Sequence, residues 1–322
     1  MRQIILTYNC NRNCEYCFAK GLIKKWPNEI SLQNLEIIFK WFSKQNIRSE
    51  IGFNGGEPTL FSKINFALRL AQKYKLKIVF YTNGVFDFEN FNFKSKAIDY
   101  FLVNFNPISE YSLQEAKILY SNLKNIRKIT KRVGLRVNLT SSKNSYKYIL
   151  DACKKLNISY VEIACVFPSI LGQNKYIKKE NLKDFSKYLL KLTKDLLKEN
   201  IRCQLAEPFP LCFFSEKERE FLIENVGLRG TCAAGKNYVI TPDLTVFPCV
   251  ALITKGFNLK NFRDEKEIIN YYDQFINKLK WEVDLFSKCK NCSFKKNKQC
   301  QGACLSYKYF QNEKSKINHQ PT

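Results

Sequence analysis

Before about residue 200 the chain alternates repeatedly between short apolar runs and segments of helical period. The runs at 4–8, 51–53, 76–81, 100–105, 135–139 and 160–167 read as strands. The segments at 32–42, 64–73, 112–132, 146–155 and 182–198 read as helices, and Ser112 with Glu115 suits a capping box at the start of one of them. About six strand–helix units of this kind argue for an α/β fold, a parallel sheet or barrel with helices outside.

After Asn200 the texture changes. Prolines cluster at Pro208 and Pro210, strand signals shorten and cysteines become dense. A core barrel over 1–200 and a smaller cysteine-rich unit over 201–322 are therefore expected. Apolar residues make up 45% of the 322, enough for a sizeable core and too many for wholesale disorder. The tail from Gln311 is polar and reads as loose. No apolar run reaches the roughly eighteen residues of a membrane-spanning helix. Residues 1–8 lack the long apolar segment and cleavage site of a signal peptide, so the chain reads as cytoplasmic.

The charge and the rare residue types narrow the chemistry. The only histidine is His319, close to the end, which removes Cys–His and Ser–His nucleophiles and histidine-rich zinc sites. The formal charge of +24 comes mostly from scattered lysines. Arginine, which reads phosphates and bases bidentately, is sparse, so the charge reads as a solvated surface rather than a nucleic-acid footprint. Thirteen cysteines, an odd number in a reducing compartment, do not make a disulfide framework. Metal ligation is the better reading of them.

Cys10-Asn-Arg-Asn-Cys14-Glu-Tyr-Cys17 directly follows the first predicted strand. In a parallel barrel, reactive residues gather at the carboxyl ends of the strands. Three thiolates in one short loop can hold three irons of a [4Fe–4S] cluster and leave the fourth without a protein ligand. A zinc site or inert thiols is the alternative. The spacing, with Tyr16 just before the last cysteine, resembles the signature of the radical S-adenosylmethionine (radical SAM) superfamily. The resemblance implies a partial (β/α)6 TIM-like barrel. It also implies that the vacant iron binds the amino and carboxylate groups of S-adenosylmethionine. One electron from the cluster then splits the sulfonium and yields a 5′-deoxyadenosyl radical, which takes a hydrogen from the substrate.

Polar residues at later strand ends would complete such a site. Gly55-Gly56-Glu57-Pro58 follows the second strand. Its glycines allow close backbone approach to a ligand, and its carboxylate could accept from an ammonium group. The segment resembles the family's GGEP motif, which meets the amino group of S-adenosylmethionine. Thr82-Asn83-Gly84 closes the third strand as a turn, Asn104 stands on the fourth and Asn138 on the fifth. The resemblance gives Thr82, Asn83 and Asn104 a place lining the same pocket, and Asn138 is a second polar candidate, although either Asn104 or Asn138 could be a satisfied buried amide. Glu162 interrupts the sixth strand, where an unpaired carboxylate would be costly, and is expected to face the lumen and help bind substrate. Cys153, Cys165 and Cys203 lie within helix or strand patterns and read as buried thiols.

Seven cysteines remain: Cys212, Cys232, Cys249, Cys289, Cys292, Cys300 and Cys304. Residues 232–249 read as a hairpin with a cysteine at each end, and Cys289 to Cys304 form a dense ligand field. This resembles the SPASM/twitch extension of radical SAM enzymes, which carries auxiliary [4Fe–4S] clusters. The resemblance has departures. Leu244 stands where a glycine is usual, the interval after Cys292 is two residues longer, and no cysteine follows Cys304. One auxiliary cluster, two with an open iron, or a zinc ribbon on Cys289, Cys292, Cys300 and Cys304 all fit the spacing.

Enzymes with this extension mostly modify peptides or proteins, by oxidation, cross-linking, thioether formation or epimerisation. Val250 stands where sulfatase-maturing relatives carry an aspartate, which disfavours formylglycine formation. No recognition domain precedes the first strand in this sequence, so leader-peptide binding is expected from the C-terminal unit or a separate protein. A flavodoxin or ferredoxin is the expected electron donor. The alternatives are a radical SAM enzyme acting on a small metabolite or RNA and, from another class, a non-catalytic zinc-binding nucleic-acid module.

Overall fold

The computed structural model describes residues 1–19, 27–45, 50–91, 95–169, 173–253 and 256–317. His319 lies outside the described residues. Strands and helices follow one another as β1 (Arg2–Thr7), α1 (Leu32–Lys44), β2 (Ile51–Gly55), α2 (Ile64–Lys73), β3 (Ile78–Thr82), β4 (Ile98–Asn104), α3 (Leu113–Ile129), β5 (Val133–Leu139), α4 (Lys147–Leu156), β6 (Tyr160–Cys165), α5 (Leu182–Lys198) and β7 (Arg202–Leu205). The seven strands pair in parallel and in sequence order, the arrangement of a partial TIM-like barrel. The α/β fold expected from the alternation is the fold observed.

The helices form where the sequence pattern demands. In α1, Leu35, Ile38, Phe39 and Phe42 recur on one face and are fully buried against the sheet. Ser31 caps it by accepting from the Asn34 backbone N–H. Ser112 and Glu115 form the reciprocal capping box of α3. Phe53 and Phe80 carry the layer between sheet and helices, with ring centroids 6.0 Å apart. The described residues between β3 and β4 contain no helix, and the sequence pattern marks none there.

The sheet continues past residue 200. After β7 come α6 (Glu216–Val226), β8 (Val239–Ile240), β9 (Thr245–Phe247), β10 (Phe257–Asn258), α7 (Glu265–Asn277), α8 (Ser293–Lys296) and α9 (Leu305–Ile317). β8 pairs in parallel with β1, and β9 and β10 follow it antiparallel, so one ten-stranded sheet runs from β10 to β7. The β8–β9 hairpin turns through Leu244, which is buried at φ 69°. That left-handed conformation is the one glycine would adopt without strain. The tail from Gln311, expected to be loose, is helical as far as Ile317.

Candidate functional site

The cysteine loop leaves β1 at its carboxyl end and folds back on itself through a hydrogen bond from the Cys17 N–H to the Cys14 carbonyl. Two neighbouring loops hold it. The Gly56 N–H donates to the Thr7 carbonyl, and the Glu57 N–H to the Asn9 carbonyl. A Cβ on Gly55 would stand 2.3 Å from the Thr7 oxygen, and one on Gly56 2.2 Å from that of Asn9. Both positions therefore require glycine, because the backbone there closely approaches the chain leading into the cysteine loop.

Glu57 also differs from its expected part. Its carboxylate is fully buried and engaged. It accepts from the Thr59 hydroxyl at 2.7 Å, the Thr82 hydroxyl at 2.7 Å and the Asn83 N–H at 2.6 Å. Burial pushes its pKa up, and these donors oppose that shift. The side chain thus joins the β2 loop to the β3 loop. Pro58 is buried at the start of a 3-10 turn, 58–60, where its missing N–H costs nothing.

Asn83 faces the cysteines. Its side-chain amide donates to Asn11 at 2.8 Å and lies 3.8 Å from the Cys10 sulfur. Burial pushes the Cys10 thiol up to about 11, and the nearby Glu57, Cys14 and Cys17 add to the shift. Arg12 supplies the opposite charge. Its guanidinium stacks over the Tyr111 ring at 3.7 Å, donates to the Glu110 carbonyl, pairs with Glu115 at 3.5 Å and lies within electrostatic reach of Cys14. A fixed cation beside a thiol favours the thiolate a metal needs.

Across the barrel mouth, Tyr16, Asn104 and Asn138 form one chain. The Asn138 amide donates to the Asn104 side-chain carbonyl. The Asn104 amide donates to the Tyr16 hydroxyl at 2.6 Å, which donates to Asn106 at 2.9 Å. These residues come from β5, β4 and the cysteine loop, so the chain fixes the loop to the strands beneath it. Arg12 and Asn106 belong to the site but not to the sequence expectation, because no motif or period marks them.

One step nearer the strands' amino ends, on the same inward faces, lie Tyr81, Leu102, Arg136 and Glu162. They line a cavity of about 950 Å³ that extends to Glu207, Cys249 and Cys304. Glu162 lines this lumen and is paired. Arg136, its neighbour in register on β5, forms an ion pair with it and reaches Glu207 at 3.3 Å. Burial raises the Glu207 carboxyl to about 7 despite Arg136. The Cys165 N–H donates to the other Glu207 oxygen at 2.9 Å.

The C-terminal cysteines carry donors aimed at sulfur. The Ala251 N–H reaches Cys249 at 3.4 Å, the Gly302 N–H reaches Cys300 at 3.4 Å, and the Ser306 hydroxyl reaches Cys304 at 3.3 Å. The Gln301 amide lies 3.4 Å from the Cys232 sulfur. Donors of this kind tune thiolate-bound clusters. Among the described residues no three metal-ligating side chains crowd around a single point. Cys153, Cys165 and Cys203 are buried in α4, β6 and β7, as expected.

A family model described as the Radical SAM superfamily matches residues 4–175. No curated protein matches the sequence. Among solved structures, Streptococcus suis SuiB bound to precursor peptide SuiA aligns with TM-score 0.69 and 19% identity, covering 94% of this chain and 71% of SuiB. Native anSMEcpe with bound AdoMet aligns with TM-score 0.68 and 18% identity, covering 98% of this chain and 95% of the other. Native anSMEcpe with bound AdoMet and Cp18Cys peptide gives TM-score 0.66 at 19% identity, covering 98% and 95%. At these identities the likeness establishes the fold.

Proposed function

Because the chain belongs to the Radical SAM superfamily, we propose that it holds a [4Fe–4S] cluster on Cys10, Cys14 and Cys17, binds S-adenosylmethionine beside it and modifies a peptide or protein. The observation that carries this reading is the convergence of three strand-end loops on the cysteine loop. Glu57 locks two of them together, and Asn83 and Arg12 present an amide and a cation to its sulfurs. When bound, the cluster supplies the electron that splits S-adenosylmethionine, and the resulting radical takes a hydrogen from the substrate.

The chain's own residues do the positioning. Arg12 places its cation within electrostatic reach of Cys14. Gly55 and Gly56 hold the cysteine loop against β2, and with Pro58 would help hold the amino group of S-adenosylmethionine. Tyr16, Asn104 and Asn138, joined by hydrogen bonds, would with Thr82 and Asn83 line the pocket for the rest of the molecule.

The peptide reading is supported by two things. SuiB and anSMEcpe share this fold and were crystallised with peptides. The cavity of about 950 Å³ stands at the upper end of small-molecule pockets. Within it, Glu162 acts as a substrate-binding carboxylate, held by Arg136. The seven C-terminal cysteines bind auxiliary clusters, which makes this region SPASM/twitch-like. A flavodoxin or ferredoxin supplies electrons, and the protein works in the cytoplasm. Among the described residues no helix is long and apolar enough to cross a membrane.

The test is anaerobic reconstitution with iron, sulfide, S-adenosylmethionine and a reductant. Formation of 5′-deoxyadenosine, abolished by alanine at Cys10, Cys14 and Cys17 together, supports the proposal. A colourless protein carrying zinc and no iron overturns it.

A further inference from the structure

We propose that a basic groove beside the central cavity binds an acidic segment of the peptide substrate and so anchors the chain whose modified residue enters the barrel. The proposal rests on the peptide reading above and adds to it the charge of the segment that flanks the modified residue.

The groove encloses about 470 Å³ and is built in the C-terminal unit. Three cations from three segments border it: Arg229 shortly after α6, Lys236 in the loop before β8 and Lys280 shortly after α7. The Lys280 ammonium donates to the Cys232 carbonyl at 2.9 Å, and the Arg229 guanidinium to the Ala206 carbonyl. Both acceptors are neutral, so these bonds orient the cations without cancelling their charge. Lys236 is exposed. Among the described residues none of the three stands in an ion pair. Asp273 is the one acid among the described residues that line the groove, and one of its oxygens accepts the Asn277 amide at 2.8 Å.

The rest of the lining selects the kind of anion. Ile269 and Ile276 of α7 add apolar surface to the groove. A small inorganic anion gains nothing from that surface, whereas a peptide covers it with the carbon stems of its side chains. Among the described residues no aromatic side chain lines the groove, so nucleic-acid bases find no ring to stack on there.

Position then ties the groove to the reaction. Residues 232–234, Arg229 and Asn237 line both the groove and the central cavity. One short loop therefore parts the two spaces, and a peptide that crosses it occupies both. The central cavity has the opposite balance, since Glu162 and Glu207 share the single guanidinium of Arg136. An acidic stretch is repelled from that part of the lumen and attracted to the groove. The two fields together fix which part of the substrate lies where.

The experiment measures fluorescence anisotropy of a labelled oligoglutamate peptide with the full chain, reconstituted anaerobically. An uncharged glycine–serine peptide and an oligothymidine serve as comparisons. Oligoglutamate should bind, more weakly as salt is raised, and the uncharged peptide should not. Lys236→Glu should weaken oligoglutamate binding about tenfold or more. Lys187→Glu makes the same charge change at an exposed position of α5 and should leave binding unchanged. Lys280→Gln should weaken binding in the same direction. If that variant does not fold, Lys236→Glu still decides, because it alters an exposed side chain. Uncoupled 5′-deoxyadenosine formation at the wild-type rate shows that Lys236→Glu is folded with its cysteine loop intact. Equal losses in Lys236→Glu and Lys187→Glu overturn the proposal, because they mark a general attraction to a basic surface. Oligothymidine bound as tightly and lost equally on Lys236→Glu overturns it as well. Oligoglutamate that fails to bind while 5′-deoxyadenosine forms overturns the acidic anchor and leaves the proposed radical chemistry standing. A wild-type chain that forms no 5′-deoxyadenosine overturns that chemistry instead, whatever the anisotropy shows.

Discussion

The Glu57 carboxylate accepts the Asn83 backbone N–H at 2.6 Å, and this one bond joins the loop after β2 to the loop that touches Cys10. The same carboxylate also satisfies Thr59 and Thr82. Glu57→Ala leaves several buried donors without an acceptor, each costing about 1–3 kcal/mol. A stability loss of at least ~3 kcal/mol is expected from chemical denaturation, together with weakened S-adenosylmethionine binding.

Arg12 stacks on Tyr111 while it reaches Cys14. Lysine keeps the charge but cannot stack as a plane or fork its donors. Arg12→Lys should therefore lose cluster iron to a chelator faster than wild type, and Arg12→Ala faster still. Equal rates in all three would show that Arg12 does not help hold the cluster.

The Arg136 guanidinium stands between Glu162 and Glu207. Arg136→Ala strands two partly buried carboxylates and should cost about 3–5 kcal/mol. Glu162→Gln is milder. Product formation should fall while uncoupled 5′-deoxyadenosine continues to form, and an unchanged product rate would remove Glu162 from substrate binding.

Glu207 should give stability a pH signature. Its carboxyl is raised from 4.5 to about 7, chiefly by burial. Between these values the folded chain holds a proton that the unfolded chain has released, so stability falls as pH rises through the window. At about 1.4 kcal/mol per unit the loss is at most about 3 kcal/mol. Glu207→Gln should flatten melting temperature against pH between about 4.5 and 7 relative to wild type.

Tyr16 holds Asn104 and Asn106 through its hydroxyl. Tyr16→Phe leaves both without that partner and should lower stability by about 1–3 kcal/mol. It should also raise the KM for S-adenosylmethionine more than it lowers kcat, which steady-state kinetics would show.

By itself the sequence determined the barrel and the cysteine loop, because both are written in local periods. Alternation of strand and helix, the Ser112–Glu115 box and the spacing of Cys10, Cys14 and Cys17 involve residues near one another along the chain. Tertiary structure alone decided the partners. That Arg136 meets Glu162, that Glu57 accepts from Asn83, and that Phe213 meets Phe286 depend on strand register and ring packing between distant segments. A side chain's type is read from one position, but what satisfies its charge or hydrogen bonds is fixed only when the chain has folded and the water has been displaced.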